Sequence, residues 1–404
     1  MSDTFSSSSV VPDLSGGKPW TSDAPVRSTQ VALPPGMVHF GIGQPDFNLL
    51  PLDLMRRAAE HRLAQGNPYL LNYGAEQGDG YFRQALASFL AARYRQAVDA
   101  ERLLVTGGAS QALDLICTLF ARNGDVILAE EPSYFLALRI FADHGLRVVS
   151  LPTDDEGLVI DALEEALTQH QPAFLYTIPT FQNPTGVTLP ESRRARLAEL
   201  SRRHNLLVVA DEVYHLLDYG AALPAPLALY ADDANILSLG SFSKILAPGL
   251  RLGWIHGTPA LVEKIALCGL TDSGGSLNHF TSGLVRSLLE LDLLGPYVEG
   301  LKTVYARRAQ ALSAALRREL PEARFDDARG GFFLWLTLPE GVDTPDLLDM
   351  AQRYQVGFQP GVSFSSQGGM RRAMRLCFAF HDIPALELGV QRLRQALDDY
   401  LGNR

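Results

Sequence analysis

A chain of 404 residues is long enough for about two to three domain-sized cores. Its formal net charge of −10 argues against nucleic acid as a partner, which needs clustered positive charge. No stretch approaches the ~20 apolar residues of a membrane span, so no membrane partner is expected either. Apolar and charged contents of 47% and 20% are those of a soluble globular protein. Cys117, Cys268 and Cys377 lie far apart in apolar segments. That is neither a disulfide framework nor a metal spacing, and it predicts core thiols and no metal site. A basic region followed by an apolar one, the mark of a signal peptide, is missing from the N-terminal stretch, so a cytoplasmic location is expected.

In chain order, residues 1–35 are rich in Ser, Pro and Gly, with a serine run at Ser6–Ser9, and read as a flexible or draped arm. From Arg102 to Gly257 short apolar runs alternate with helical patterns. The expected strands are 103–105, 126–129, 147–151, 174–178, 206–210, 236–239 and 252–255. Between them 110–121, 134–144, 161–168 and 190–204 have helical apolar spacing. Such alternation predicts an α/β fold: a mainly parallel sheet covered on both faces, in three layers, with ligand sites beyond the strands' carboxyl ends. After Pro259 the pattern changes to helices through Arg318, strands at 331–338 and 372–380, and an amphipathic helix at 384–400. This predicts a smaller α+β domain. The division expected is an arm at 1–35, a large domain at 66–290, and a small domain from 36–65 plus 291–404.

Lys244 stands out. It is one of four lysines against thirty-one arginines, and it sits among small hydroxyl and glycine residues after an apolar run. A guanidinium cannot be deprotonated to attack a carbonyl, whereas an amine of lowered pKa can. Other strand-end loops carry residues that are odd choices for packing. Thr106-Gly-Gly-Ala-Ser-Gln111 opens a helix and can cradle a phosphate at Gly108, Ala109 and Ser110, although a tight turn explains it equally well. In Glu130-Glu-Pro-Ser-Tyr134 the tyrosine can stack on a planar ring or join the core. Pro179-Thr-Phe-Gln-Asn-Pro-Thr-Gly186 is sufficient for a turn, and Asp211 in Ala210-Asp-Glu-Val-Tyr214 can cap one. Taken together, a lysine, a phosphate nest, a ring stack and a carboxylate on successive strand ends meet the needs of pyridoxal 5′-phosphate.

The segment Ser241-Phe-Ser-Lys-Ile-Leu-Ala-Pro-Gly-Leu-Arg-Leu-Gly-Trp254 resembles the lysine motif of fold-type I, class I/II pyridoxal-phosphate aminotransferases. Asn183-Pro-Thr-Gly186 and Asp211-Glu-Val-Tyr214 resemble the two motifs expected upstream, and the likeness runs from about Met37 to the C-terminus. The resemblance implies that Lys244 forms a Schiff base with the cofactor aldehyde. It implies that Ser241, Ser243, Arg251 and the amides of Ala109 and Ser110 hold the phosphate, and that Tyr134 stacks on the ring. Asn183 and Tyr214 would bond the phenolic oxygen, and Asp211 the ring nitrogen. Tyr73, in Asn72-Tyr-Gly-Ala-Glu-Gln-Gly78, resembles a tyrosine that reaches the phosphate of a neighbouring subunit, which implies a homodimer. Arg375 resembles the arginine that clamps the substrate α-carboxylate. A charge inside so apolar a strand independently suggests an anionic ligand. The loop Gly41-Ile-Gly-Gln-Pro-Asp46 would add backbone contacts through Gly43, with Asn183 also near the substrate.

The expected activity is transfer of an amino group from an L-amino acid to a 2-oxo acid, with Lys244 as general base and acid. The cofactor residues alone leave a lyase, a racemase or a cyclising enzyme open. A ligand-sensing aminotransferase-like module would need a basic DNA-binding region, whereas about forty residues precede the similarity and hold two basic groups, Lys18 and Arg27, against three acidic ones. The loop at 180–186 and the N-terminal glycine loop resemble the 2-aminoadipate/kynurenine aminotransferase branch. There Arg27 is a candidate partner for a distal carboxylate, or a solvated surface arginine. The stretch Thr271-Asp-Ser-Gly-Gly-Ser-Leu-Asn-His279 departs from that branch's pattern and leaves the substrate open.

Overall fold

Eight strands form the main sheet of the computed structural model, which describes residues 26–27, 32–220, 222–230 and 234–402. Most of the N-terminal arm and the side chain of Arg27 lie outside the described residues. The strand order is Leu103–Thr106, Gly253–Gly257, Ile236–Ser241, Val208–Asp211, Leu175–Thr177, Val126–Glu131, Arg147–Asp154 and Gly157–Leu158. The central pairings are parallel. Each of the seven strands read from the sequence is present, within a few residues of its expected ends. The helices Ala109–Phe120, Phe135–Asp143, Ile160–Gln169 and Glu191–His204 lie between them. Val208–Asp211 and Ile236–Ser241 are buried along their whole length, as strands covered on both faces must be.

One strand differs from a purely parallel arrangement. Gly253–Gly257 runs antiparallel to both its neighbours. The connection at 242–252 holds only short helical turns and cannot make the long crossover a parallel return requires.

The chain winds outward in both directions from the contact between Val126–Glu131 and Leu175–Thr177. Such a switch in winding opens a crevice beyond the carboxyl ends of the strands. The loops after Thr106, Glu131, Thr177, Asp211 and Ser241 all emerge at those ends.

A second, smaller body carries an antiparallel sheet of Phe333–Thr337, Ala373–Cys377 and Gln359–Pro360. The helices Leu294–Glu319, Thr344–Arg353 and Ile383–Gly402 accompany it. The middle helix, capped by Asp343, and the two-residue strand Gln359–Pro360 are additions to what the sequence pattern suggested. Residues 36–65 touch both bodies. Val38–His39 pairs with Val356–Gly357, whereas Arg62 on the helix Leu52–Ala64 bonds Gly283 O at 2.9 Å and Glu290 at 2.7 Å. No helix among the described residues is long and apolar enough to cross a membrane.

Candidate active site

Where the strand ends meet the loop 41–47, a cavity of about 590 Å³ opens. Its walls include Gly43, Ala109, Ser110, Tyr134, Asn183, Asp211, Tyr214, Ser241, Ser243, Lys244 and Arg251. Every one of these was a candidate on sequence grounds. They come from five strand ends and one N-terminal loop, so the sheet's topology brings together residues spread over more than two hundred positions.

One end of the cavity is built for an anion. Gly108 precedes the helix Ala109–Phe120 with φ of 95°, and no side chain caps that helix, so its first amides remain donors. A Cβ on Gly108 would lie 3.0 Å from Arg251 Nη2, so only glycine lets the arginine approach the helix start. Arg251 donates to Gly107 O at 3.2 Å and Pro248 O at 3.1 Å. Ser241 and Ser243 lie 3.0 Å apart, hydroxyl to hydroxyl, at the start of the short helix that carries Lys244.

The same cavity also holds a buried carboxylate. Asp211 Oδ2 accepts from Tyr176 at 2.8 Å, while Oδ1 is buried and has no partner. Burial raises the Asp211 carboxyl above the usual range, opposed by the Tyr176 hydroxyl, the Val213 amide and the Lys244 charge. An acceptor left unpaired in such a place calls for a donor, and a protonated pyridine nitrogen is one. The anion cradle and the orphaned carboxylate therefore fit pyridoxal phosphate.

Lys244 Nζ donates to Gly43 O at 2.9 Å and lies 5.7 Å from the Tyr214 ring and 5.4 Å from the Phe332 ring. Burial pulls its amine down to about 8, with Arg375 and Arg251 acting in the same direction. A neutral fraction is thus accessible near physiological pH. Burial also pushes the Tyr134 hydroxyl up to about 12, which keeps the ring neutral.

Arg375 forms part of the wall behind Gly43 rather than the open lining. It is 1% exposed, donates to Asn183 Oδ1 and Gly41 O, each at 2.8 Å, and stacks 3.9 Å from the Phe333 ring centroid. Its Nε is buried without a partner. Tyr73 is 77% exposed and does not line the cavity of its own chain.

Sequence reasoning missed a supporting layer. Glu130 is buried and accepts from the Thr177 hydroxyl, from Ile178 N at 3.2 Å and from Gln182 Nε2 at 3.1 Å. Gln182 also accepts from Thr185 N and Oγ1, both at 2.8 Å, so it ties down the loop carrying Asn183. Tyr176, whose hydroxyl supports Asp211, was missed as well; a phenol in a buried apolar strand needs a partner, which was its available signal. Gln44, Phe47, Leu136, Ile178, Val213, Pro248 and Gly249 complete the cavity wall.

Comparison with known proteins agrees with this geometry. The family model for aminotransferase class I and II matches residues 35–393. A 2-aminoadipate transaminase of Thermus thermophilus is 36% identical over 373 residues, covering 91% of each chain. Aromatic-amino-acid aminotransferase 1 of Thermococcus litoralis is 32% identical over 363 residues, 88% of this chain and 87% of that one. The crystal structure of α-aminoadipate aminotransferase from Thermus thermophilus, complexed with N-(5′-phosphopyridoxyl)-L-leucine, superposes with a TM-score of 0.83 at 34% identity, over 92% of this chain and 94% of that one. With the match running nearly end to end and the cavity fitted to the cofactor, the chain belongs to the class I and II aminotransferases and is a pyridoxal-phosphate-dependent transaminase.

Proposed function

We propose that this enzyme moves the amino group of an L-amino acid to a 2-oxo acid with the residues of the cavity in the following roles. The observation that carries the reading is the shared cavity of Lys244, with its lowered amine, and Asp211, with its unpaired oxygen. Arg251, Ser241, Ser243 and the amides at Gly108–Ser110 hold the phosphate. Tyr134 covers the ring. Asn183 and Tyr214 donate to the phenolic oxygen, and Asp211 accepts from the ring nitrogen. When bound, the cofactor supplies an electron sink for the pair released from the substrate Cα–H bond.

Arg375 binds the α-carboxylate, assisted by the loop at Gly43, and so fixes the Cα–H direction. Lys244, once free, takes the Cα proton and returns it one step later as general base and acid. Asn183 serves both partners: its Oδ1 is engaged by Arg375, which leaves the amide nitrogen as a donor.

A homodimer is part of the same reading. Exposed apolar side chains concentrate in two contacting segments, with Tyr69, Leu71, Tyr73 and Tyr81 in one and Leu267, Leu270, Leu277 and Phe280 in the other. A second copy covering them would bring its Tyr73 to the phosphate cradle. Three free cysteines favour a cytoplasmic location.

The decisive experiment is a single half-reaction. Holoenzyme mixed with one amino acid at a time yields stoichiometric 2-oxo acid and pyridoxamine phosphate. Loss of amino acid without oxo acid would overturn transamination in favour of elimination or racemisation.

A further inference from the structure

Two carbonyls of one loop hold the two buried cations of the site. Gly41 O accepts from Arg375 Nη2 at 2.8 Å, and Gly43 O accepts from Lys244 Nζ at 2.9 Å. Beyond the two-residue strand Val38–His39 this loop has no regular secondary structure until Phe47. An imidazole pair anchors it instead. His39 Nδ1 accepts the Gly41 N–H at 3.0 Å, and His381 Nε2 accepts the His39 N–H at 3.0 Å. His39 is 8% exposed, and its ring is wedged between two glycines. A Cβ on Gly41 would lie 2.7 Å from its Cε1, and one on Gly357 2.4 Å from its Cδ2.

We propose that His39 is a positioning residue for recognition of the substrate carboxylate, acting through the Gly41 carbonyl on Arg375, with His381 holding His39 in turn. The proposal rests on the reading of Arg375 as the carboxylate clamp. A guanidinium presents its donors in a rigid fork, so the acceptors around it set its direction. On the protein side of Arg375 those acceptors are Asn183 Oδ1 and Gly41 O. The first belongs to a loop tied by Gln182, and the second depends on the imidazole.

The role requires that both rings accept, so neither accepting nitrogen carries a proton. Burial pushes His39 and His381 down to about 4, which keeps both neutral at working pH. The charged groups around them are Arg375 beside His39, and Asp46, Asp382 and Arg308 around His381.

The test compares an amino acid with its decarboxylated amine on holoenzyme. The amino acid is whichever of L-phenylalanine, L-leucine and L-2-aminoadipate reacts fastest, and the readout is the half-saturation constant of the cofactor spectral change. In His39→Leu the constant for the amino acid rises roughly tenfold while that for the amine stays within about twofold, with unchanged cofactor absorbance. His39→Asn restores discrimination, because its Oδ1 takes the place of Nδ1. Arg375→Leu loses the same discrimination. If His39→Leu keeps the wild-type ratio while Arg375→Leu loses it, the proposal is wrong. It is equally wrong if both constants rise together in His39→Leu and His39→Asn does no better. An unaltered ratio in Arg375→Leu overturns the carboxylate reading itself. Should His39→Leu fail to fold, His39→Gln replaces it, since glutamine sets its acceptor one bond further out and loses discrimination where asparagine keeps it.

Discussion

Tyr176 donates its hydroxyl to Asp211 Oδ2 at 2.8 Å across adjacent parallel strands, which leaves Oδ1 as the open acceptor of the cavity. The bond orients the carboxylate and stabilises its charge where burial opposes it. Tyr176→Phe removes that donor at a cost of about 1–3 kcal/mol. Pyridoxal phosphate then binds roughly tenfold more weakly, as read by spectral titration of apoenzyme. Equal affinity in the two proteins would show that Asp211 does not need this support.

The role proposed for Lys244 predicts that Lys244→Ala abolishes turnover, since loss of a general base alone is worth about 10²–10⁴-fold. Multiple-turnover transamination by that variant without added amine would sink the assignment. The wild-type apoenzyme carries a pH signature of the same group. Its amine, lowered to about 8 by burial, is protonated below that pH and neutral above it. Capture of the cofactor aldehyde therefore accelerates as pH rises toward 8 and then levels off. A profile still rising through pH 10 would mean an unperturbed amine.

Tyr73 is exposed in its own chain and is expected to act in a second copy. Tyr73→Phe and Lys244→Ala, each deficient alone, should complement when mixed and reassociated. One site of every hybrid then regains both wild-type residues, which recovers roughly a quarter of full activity. If Tyr73 acts within its own chain, mixing recovers nothing.

Arg194 is fully buried and bonds Glu212, the neighbour of Asp211, at 3.1 Å. It also donates to Leu189 O at 2.8 Å, Ala225 O at 3.1 Å and Thr180 Oγ1 at 2.7 Å. Arg194→Ala strands a buried carboxylate, which costs about 3–5 kcal/mol. Thermal unfolding should show a large drop in Tm, partly recovered by adding Glu212→Gln. A drop left unchanged by the second substitution would locate the cost in the backbone carbonyls.

Four histidines link folding to pH. Burial pushes His39, His256 and His381 down to about 4 and His215 to about 3. Unfolded histidine titrates near 6.5, so the unfolded chain binds more protons between that pH and the folded values. Their stabilisation is complete above about pH 6.5 and declines as pH falls toward 4. The Tm of apoenzyme should decrease between pH 7 and pH 5, before most carboxylates titrate. Buried Glu130, Asp211 and Glu212, whose carboxyls are raised, act in the opposite sense. The histidine share is therefore read from His256→Leu, whose Tm should fall less over this range than the wild type's. An identical fall would contradict the contribution of that ring.

Much of this protein was legible along the chain. Residues 103–257 alternate strand and helix patterns clearly enough that all seven expected strands exist. The strand Gln359–Pro360 was less legible, because two residues at a sheet edge leave no periodic signal. The helix Thr344–Arg353, by contrast, buries Thr344, Leu347 and Ala351 at helical spacing and was readable but not read. The antiparallel course of Gly253–Gly257 was hidden for a different reason: strand direction follows from the connection, and apolar runs carry no direction.

The motif residues were set by local rules. Asp211 ends a strand, and Asn183 and Lys244 follow one, so their place at the carboxyl end of a sheet was determined by the sequence itself. Their partners were not. Arg375 meets Asn183 across 192 positions, Lys244 meets Gly43 across 201, and Tyr176 meets Asp211 only because their strands are neighbours. Such contacts depend on strand order and on how the smaller body docks against the sheet. Those are products of packing many buried side chains at once, which no local stretch of sequence encodes.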